Sequence, residues 1–448
     1  MELNIDFLNR MKTMLGDEYG EFLHALKLEH KKGLVVNNLK VDEKIVKKSL
    51  SGKIDKLPYG RGCYILNSDE KLGSTILHKA GAFYLQEPSA IVPGIVLPLK
   101  KGDVVLDVCA SPGGKTFNIA RREDATILSN EIDYSRAKTL LSNVERLGLT
   151  NVMVSNFSSQ ELSSLFPYQF DAVIIDAPCS GEGMFRKEDY AIEQWSLDYV
   201  NKCAEMQKEI IQNIDTTLKC GGYLVYSTCT YSLEENEKNI ALLVDMGYEI
   251  VDIGQMAGAS NGVKLDAYNT NLCKRFYPHK SFGEGQFVAL LRKVKQDEIV
   301  HKKKYNIAPI GNFNKKLVLA GLKSVVDKEL LEKLENSMYE KNDGVFYCPN
   351  AELLVKDKKI LSYGVKLGNI IGNRFEPCHN MFTAFSSHFV NQIEVDDEGA
   401  TKYLRGETLN TESVTGWCVV KFKDVALGGG KVVNGVIKNH YPKGLRNP

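Results

Sequence analysis

Across 448 residues the sequence has no C-x-x-C pair, no apolar run long enough for a bilayer and no excess of charge of either sign. Each absence excludes a class. Ten cysteines spread from Cys63 to Cys418 without C-x-x-C spacing encode neither a zinc ribbon nor a thioredoxin-like redox site, so no metal is expected. The longest nearly unbroken apolar stretch, residues 90–99, is about half of the ~20 residues a spanning helix needs and is broken by Pro93 and Pro98. The first twenty residues scatter Glu2, Asp6, Arg10, Lys12, Asp17 and Glu18 among apolar positions, which is not the order of a secretory leader. A cytoplasmic protein is expected. With 57 Lys+Arg against 56 Asp+Glu, global charge announces no polyanion partner. What is present, 43% apolar and 25% charged residues, is ordinary for a globular chain of about two to four domains.

From about residue 100, short Val/Ile/Tyr-rich runs at 103–108, 125–129, 171–176 and 222–228 alternate with helical stretches. In 134–147, Ala137, Leu140, Leu141, Val144 and Leu147 recur at the spacing of one buried helix face. Buried strands with crossover helices predict a mostly parallel, doubly wound α/β sheet, closed by a strand at 286–291. Ser232 followed by Glu235 reads as a capping box opening a further helix. Residues 292–304, with six Lys/Arg against two acids, read as a linker. Beyond it, short β-like runs at 351–355, 368–371, 417–422 and 432–437 suggest a β-rich module whose end, residues 421–448, carries six Lys/Arg and one Asp. That end is either a solvated basic tail or a phosphate-contacting surface. Residues 1–90 show helical segments and a strand candidate at 34–39, but no chemistry of their own.

The chemistry concentrates at strand ends. The strand at 103–108 runs into C-A-S-P-G-G-K-T, residues 109–116, a glycine turn where backbone approaches a ligand at a helix start. A P-loop needs glycine where Cys109 stands, so that reading fails. The methionine end of S-adenosylmethionine suits the turn, provided an acid at the next strand end meets the ribose hydroxyls, and Glu131 stands there. The third strand ends in D-A-P-C-S-G-E-G, residues 176–183, and the fourth in S-T-C-T. Asp176, Cys179 and Cys229 therefore converge on the carboxyl edge of the sheet, with Gly181 and Gly183 leaving the loop free to approach a substrate. Two thiols beside a methyl donor suggest methylation of C5 of cytosine, a carbon too weakly nucleophilic until a thiolate adds at C6. A second thiol would assist proton removal and release. Asp176 would meet the pyrimidine edge at N3 and the exocyclic amine, and Lys115 would orient Asp176 or favour a thiolate. The residues alone leave open which cysteine is the nucleophile.

The sequence resembles the Sun-type (NOL/NOP/Sun) RNA cytosine-5 methyltransferases, in particular their bacterial RsmF-like branch. The likeness runs through F-Y-L-Q-E-P-S-A at 83–90, V-L-D-V-C-A-S-P-G-G-K-T at 105–116 and N-E-I-D at 130–133. It continues in D-A-P-C-S-G-E-G at 176–183, Y-S-T-C-T at 226–230 with E-E-N-E after it, and G-E-G-Q-F-V-A at 283–289. The resemblance implies a class I, Rossmann-like methyltransferase core that uses S-adenosylmethionine and acts on small-subunit (16S) ribosomal RNA. It implies Cys229 as nucleophile and Cys179 as the releasing thiol, and it assigns Cys109, Ala110, Ser111, Pro112, Gly113, Gly114, Lys115, Glu131 and Asp176 to the cofactor. Where many members carry an Asp beside the adenine, this chain has Ser158, so Asn156 or Ser158 is the expected adenine contact. G-W-C-V-V-K-F and V-V-N-G-V-I-K-N-H-Y-P resemble the branch's PUA-like RNA-binding end.

The expected organisation is an N-terminal RNA-binding extension (1–90), a methyltransferase core (91–294), a basic linker (295–305) and a C-terminal mixed α/β region with a PUA-like module (306–448), working as a monomer on RNA. Two rivals remain: Cys179 as nucleophile, as in DNA cytosine methyltransferases, and a ribosome assembly factor that has lost catalysis. Retention of both thiols, both acids and the glycine turn argues against the second.

Overall fold

The computed structural model describes residues 3–67, 70–122, 125–295, 313–341, 344–412 and 414–446. Its centre is a ten-stranded mixed sheet. Five strands are parallel, in the spatial order Val152–Ser155, Ala125–Asn130, Asp103–Asp107, Phe170–Asp176, Leu218–Thr228. The chain order reverses direction between Asp103–Asp107 and Phe170–Asp176, which opens a crevice at their carboxyl ends. Gln286–Lys293 adds antiparallel to Leu218–Thr228, so the expected closing strand is there. Successive residues of these strands bury on opposite faces. Leu106, Val173, Ile175 and Leu224 enter one apolar layer, and Val105, Ala172, Ile174 and Val225 the other. Burial on both faces is why these strands read as continuous apolar runs.

Helix Tyr134–Leu147 starts at Asp133, whose side chain accepts from the Arg136 N–H, and stops at Gly148 with φ +65°. Ala137, Leu140, Val144 and Leu147 are buried as the spacing predicts, while Leu141 is half-buried. Before the core, Ile54–Lys56, Cys63–Leu66, Gly33–Val36 and Phe83–Gln86 form a four-stranded antiparallel sheet. The strand expected at 34–39 is thus Gly33–Val36. Asn37 ends it and ties it to the core, its amide donating to the carbonyls of Gly81 and Leu147.

The C-terminal region departs from expectation in four places. Residues 351–355 form no strand: Ala351–Leu353 is a short 3-10 turn, and Leu353, Leu354 and Val355 pack into the main core. Instead Ile360–Ser362 pairs antiparallel with Val152–Ser155, so this region extends the central sheet. The run at 432–437 is two strands, Val425–Val433 and Val436–Asn439, turned by Asn434 and Gly435, both at positive φ. Arg292 and Lys293, expected in the linker, belong to Gln286–Lys293, and the buried Lys293 ammonium pairs with Asp215 at 2.8 Å. The remainder of the expected linker, residues 296–305, lies outside the described residues. The runs at 368–371 and 417–422 fall within Val365–Ile371 and Gly416–Phe422, and the latter belongs to a five-stranded sheet. Among the described residues no helix is long and apolar enough to cross a membrane.

One buried ion pair fastens the edge of the sheet. Arg275 on Lys274–Phe276 donates Nε to Glu237 Oε1 at 2.7 Å and Nη1 to the Tyr231 carbonyl at 2.7 Å. Burial opposes the guanidinium's charge, but Glu237 more than restores it. Glu237→Ala leaves a buried cation unpaired and is expected to lower stability by about 3–5 kcal/mol. Denaturant melts with an unchanged midpoint would deny the pair its structural role.

Candidate active site

At the crevice between Asp103–Asp107 and Phe170–Asp176 lies a cavity of about 440 Å³. Its floor is the glycine turn: Ala110, Ser111, Pro112, Gly114 and Lys115 line it. The turn is tied to helix Tyr134–Leu147, because Ser111 Oγ donates to the Arg136 carbonyl and Asn143 donates to the Pro112 carbonyl. Gly113 has φ +110°. The need for glycine at 114 has an origin the sequence did not reveal: a Cβ there would lie 2.8 Å from Gln86 Nε2. Glycine makes room for the N-terminal segment as well as for a ligand. Cys109 is expected at the cofactor, but it packs against the core rather than lining the cavity, and burial pushes its thiol up, so it is a neutral wall.

Beneath the turn, Thr116 Oγ1 donates to Asp107 Oδ2 at 2.6 Å, while Asp107 Oδ1 has no partner. Burial pushes the Asp107 carboxyl up to about 7. Glu131, which does not line the cavity, is 2% exposed; its Oε1 accepts from the Asp133 N–H, while among the described residues Oε2 has no hydrogen bond and lies 3.4 Å from Arg136. An unfilled carboxylate oxygen at this strand end suits a ligand with two adjacent hydroxyls. Asn156 holds the Glu131 loop, donating to the carbonyls of Glu131 and Ile132. Ser158 stands apart from the cavity. Its hydroxyl accepts from the Glu161 N–H and its own N–H donates to Glu161 Oε2, so it caps helix Ser159–Leu165.

The two strand-end cysteines lie together. Cys179 Sγ and Cys229 Sγ are 3.1 Å apart, and both cysteines are free thiols. Cys229 lines the cavity, and Cys179 lies one step behind it. The hydrogen bond with Cys229, reinforced by burial, pushes the Cys179 thiol well up, so it is held protonated. Asp176 also lines the cavity. Lys115 Nζ donates to its Oδ2 at 2.5 Å and Ser227 Oγ to its Oδ1 at 2.6 Å, with Gln286 Nε2 at 3.4 Å. Burial opposes the charge of Lys115, but Asp176, and beyond it Cys229, hold it above the ordinary lysine range. The cavity thus joins a cation, an oriented carboxylate and a thiol.

Sequence reasoning missed several participants. Tyr84, Gln86 and Glu87 bring the N-terminal segment, read as lacking chemistry, into the cavity wall. Glu87 accepts from the N–H groups of Ser89, Ala90 and Glu284, locking that segment to the G-E-G-Q turn. Ser227 and Gln286 were visible as letters of Y-S-T-C-T and G-E-G-Q-F, but only the fold points them at Asp176. Two local readings are corrected. Gly183 does not free the loop for substrate, since a Cβ there would lie 2.8 Å from both the Cys229 carbonyl and Gly285: the loop is packed shut against the thiol strand. Ser232 and Glu235 form no capping box. Helix Glu237–Asp245 begins after Asn236, Ser232 Oγ donates to Glu182, and Glu235 accepts from Ser180 and Gln207.

Comparison with known proteins matches residues 94–292 to the family 16S rRNA methyltransferase RsmB/F, residues 3–88 to the N-terminal domain of 16S rRNA methyltransferase RsmF and residues 390–447 to the methyltransferase RsmF PUA domain. Ribosomal RNA small subunit methyltransferase F of Vibrio parahaemolyticus is 31% identical, over 98% of this chain and 96% of its own. The protein of that name from Aeromonas salmonicida is 28% identical, over 95% and 93%. Among solved structures, a methyltransferase homologue from Pyrococcus horikoshii superposes with a TM-score of 0.57 at 29% identity, over 64% of this chain and 94% of its own. NSun6 from Pyrococcus horikoshii superposes at 0.58 and 22% identity, over 65% and 99%, and shares the fold.

Asp107 supplies a pH signature for this site. Its folded pKa lies above the unfolded value, so the native state binds the proton more tightly and loses stability as pH rises toward about 7. Asp107→Asn lacks that loss. Relative to wild type its melting temperature is expected to improve between about pH 5.5 and 8, and parallel melting curves of the two proteins across that range would contradict the assignment.

Proposed function

The chain belongs to the ribosomal RNA small subunit methyltransferase F family, and on that premise we propose that it methylates C5 of cytidine in 16S ribosomal RNA through a covalent thiol adduct at C6. It is an S-adenosylmethionine-dependent RNA methyltransferase. The residues present fit that cofactor: Ala110, Ser111, Pro112, Gly114 and Lys115 line the cavity and suit the methionine end, while Glu131, at the neighbouring strand end and outside the cavity lining, keeps an oxygen without a hydrogen bond among the described residues that suits the ribose diol. When bound, S-adenosylmethionine supplies an electrophilic methyl group.

The observation that carries the finer reading is the thiol pair beside Lys115 and Asp176. Cys229, facing the cavity next to a lysine held protonated, is the thiol best placed to react as thiolate and bond to C6. Addition would move the pyrimidine's electron pair toward C5, which would then take the methyl carbon as the methyl–sulfur bond of the donor breaks, its electron pair returning to sulfur and leaving a neutral thioether. Asp176, held by Lys115 and Ser227, faces the pyrimidine edge and stabilises the proton taken up at N3. For release a base takes the C5 proton, the C5=C6 bond reforms, and the Cys229–C6 bond breaks with its electron pair returning to sulfur. Cys179, within 3.1 Å of that sulfur, is the group in place to assist. Its protonated state requires that it give up its proton before or during that step. The basic C-terminal sheet, with Lys421, Lys431 and Lys438 on its strands, suits RNA phosphates.

Cys229→Ala is expected to abolish methyl transfer and leave no covalent RNA complex, whereas Cys179→Ala should accumulate protein bound to RNA through an SDS-stable bond. Turnover by Cys229→Ala would overturn the nucleophile assignment, and adduct formation by it would transfer that role to Cys179. Glu131→Ala removes the charged acceptor for the ribose. Calorimetry is expected to show S-adenosylmethionine binding weakened by about 10- to 100-fold, and equal affinity would exclude Glu131 from the cofactor.

A further inference from the structure

Behind the thiols lies a buried polar cluster that the reaction above does not use. Cys179 sits in the turn Pro178–Ser180, and the polar groups on both sides of it are held from one place. Gln207 Nε2 donates to the Pro178 carbonyl at 2.9 Å. Glu235 accepts from the Ser180 N–H at 2.9 Å and from Ser180 Oγ at 2.5 Å. Gln207 also donates to Glu235 at 2.8 Å, which joins the two holders. The orientation of Gln207 is fixed in turn, because its carbonyl oxygen accepts from Asn239 Nδ2 at 2.8 Å and Tyr226 OH at 3.1 Å. Finally, Ser180 Oγ lies 2.8 Å from Thr230 Oγ1, so the residue after Cys179 is bonded to the residue after Cys229.

We infer that Glu235, braced by Gln207, is a positioning residue for the release step: it clamps the Pro178–Ser180 turn so that the Cys179 thiol stays against Cys229. The inference rests on the thiol reading given above. Glu235 is fully buried and makes no ion pair among the described residues. Burial pushes its carboxyl up to about 7. A buried carboxylate without a cation is a poor way to stabilise a fold, since an apolar or neutral side chain would avoid the desolvation. What a carboxylate offers here is two acceptors on one rigid plane, which receive the N–H and the hydroxyl of the same serine. Neither Glu235 nor Gln207 lines the cavity, so the clamp acts through Cys179 and leaves the cofactor wall alone.

The test uses the full-length enzyme and two RNAs, a 16S rRNA transcript and the same transcript made with 5-fluorocytidine, whose C5 substituent cannot leave as a proton. Glu235→Gln keeps the shape but places an amide donor against a donor. On the ordinary transcript it is expected to methylate once, hold an SDS-stable adduct and turn over about a hundredfold more slowly than wild type, the scale of a 1 Å misplacement. On the fluorinated transcript it should form as much adduct as wild type, and its S-adenosylmethionine affinity should be unchanged. A merely structural lesion would lower all three together. Gln207→Leu is expected to move release in the same direction, and it keeps the inference testable should Glu235→Gln not fold. Wild-type turnover by a folded variant would overturn the clamp. So would loss of adduct on the fluorinated RNA, because the carboxylate would then serve Cys229. Failure of wild type itself to form that adduct would instead refute the thiol reading.

Discussion

Two parallel strands in register are the constraint on which the site depends. Asp176, at the end of Phe170–Asp176, is the register partner of Ser227 near the end of Leu218–Thr228, and the Ala177 N–H continues the ladder to the Ser227 carbonyl. Cys179 follows three residues after one partner and Cys229 two residues after the other, so the pairing brings both thiols to neighbouring strand ends, where the Glu235 and Gln207 bonds hold the Cys179 turn. A slip of one residue would turn Ser227 away from Asp176 and separate the sulfurs. Apolar burial on both faces fixes that register, with Ile174 and Ile175 entering opposite layers of core. The chemistry at the strand ends is therefore enforced by hydrophobic packing further down the sheet.

Around this pair the charges divide by depth. Lys115 and Asp176 face the cavity as a salt bridge with further donors on the carboxylate, an arrangement that fixes the orientation of both. Asp107 and Glu235 lie deeper without cations, and burial pushes both up to about 7. The site thus places its fixed charges where substrate arrives and its titratable carboxyls where they support the turns. Arg186, paired with Glu284 and donating to the Ala25 carbonyl, closes the same region by joining the thiol loop, the G-E-G-Q turn and the N-terminal helices.

How much of this was legible follows from the range of the interactions. Strand–turn–helix motifs are local, so the sheet, the glycine turn, Glu131 and the converging thiols could be read from neighbouring letters. The motif S-x-x-E shows where local reading ends, for it occurs at both Ser158 and Ser232. At Ser158 the helix start is partly exposed and Glu161 has only Lys359 competing for it, so the capping box forms. At Ser232 both side chains are buried, and Glu182, Ser180 and Gln207 offer partners from other elements, so the box is replaced by a tertiary network. From the letters alone Ser158 is one of two candidate adenine contacts, with Asn156, and Ser232 is a cap. The N-terminal participants were hidden for the same reason: Gln86 is held at the turn by Asn118, which donates to its side-chain oxygen from the following helix, and by its own amide donating to the Ala90 carbonyl.

That N-terminal contact bears on how the three matched segments of the chain work together. Gly114 is open on the side where Gln86 and Tyr84 approach, so the turn and the segment before the core are shaped to each other. On the far side, Asn380 donates to Glu145 on helix Tyr134–Leu147, the helix that also holds Ser111 and Pro112. Ile360–Ser362 extends the central sheet beside Val152–Ser155. The C-terminal region is therefore connected to the glycine turn through one helix and one sheet. In the proposed reaction a cytidine would leave its stack to reach Cys229, and the surrounding RNA would have to be held at a fixed distance while it does. Attachment of both flanks to the turn itself supplies that fixed distance, because any phosphate contact made at the basic end is referred to the same backbone that lines the cavity.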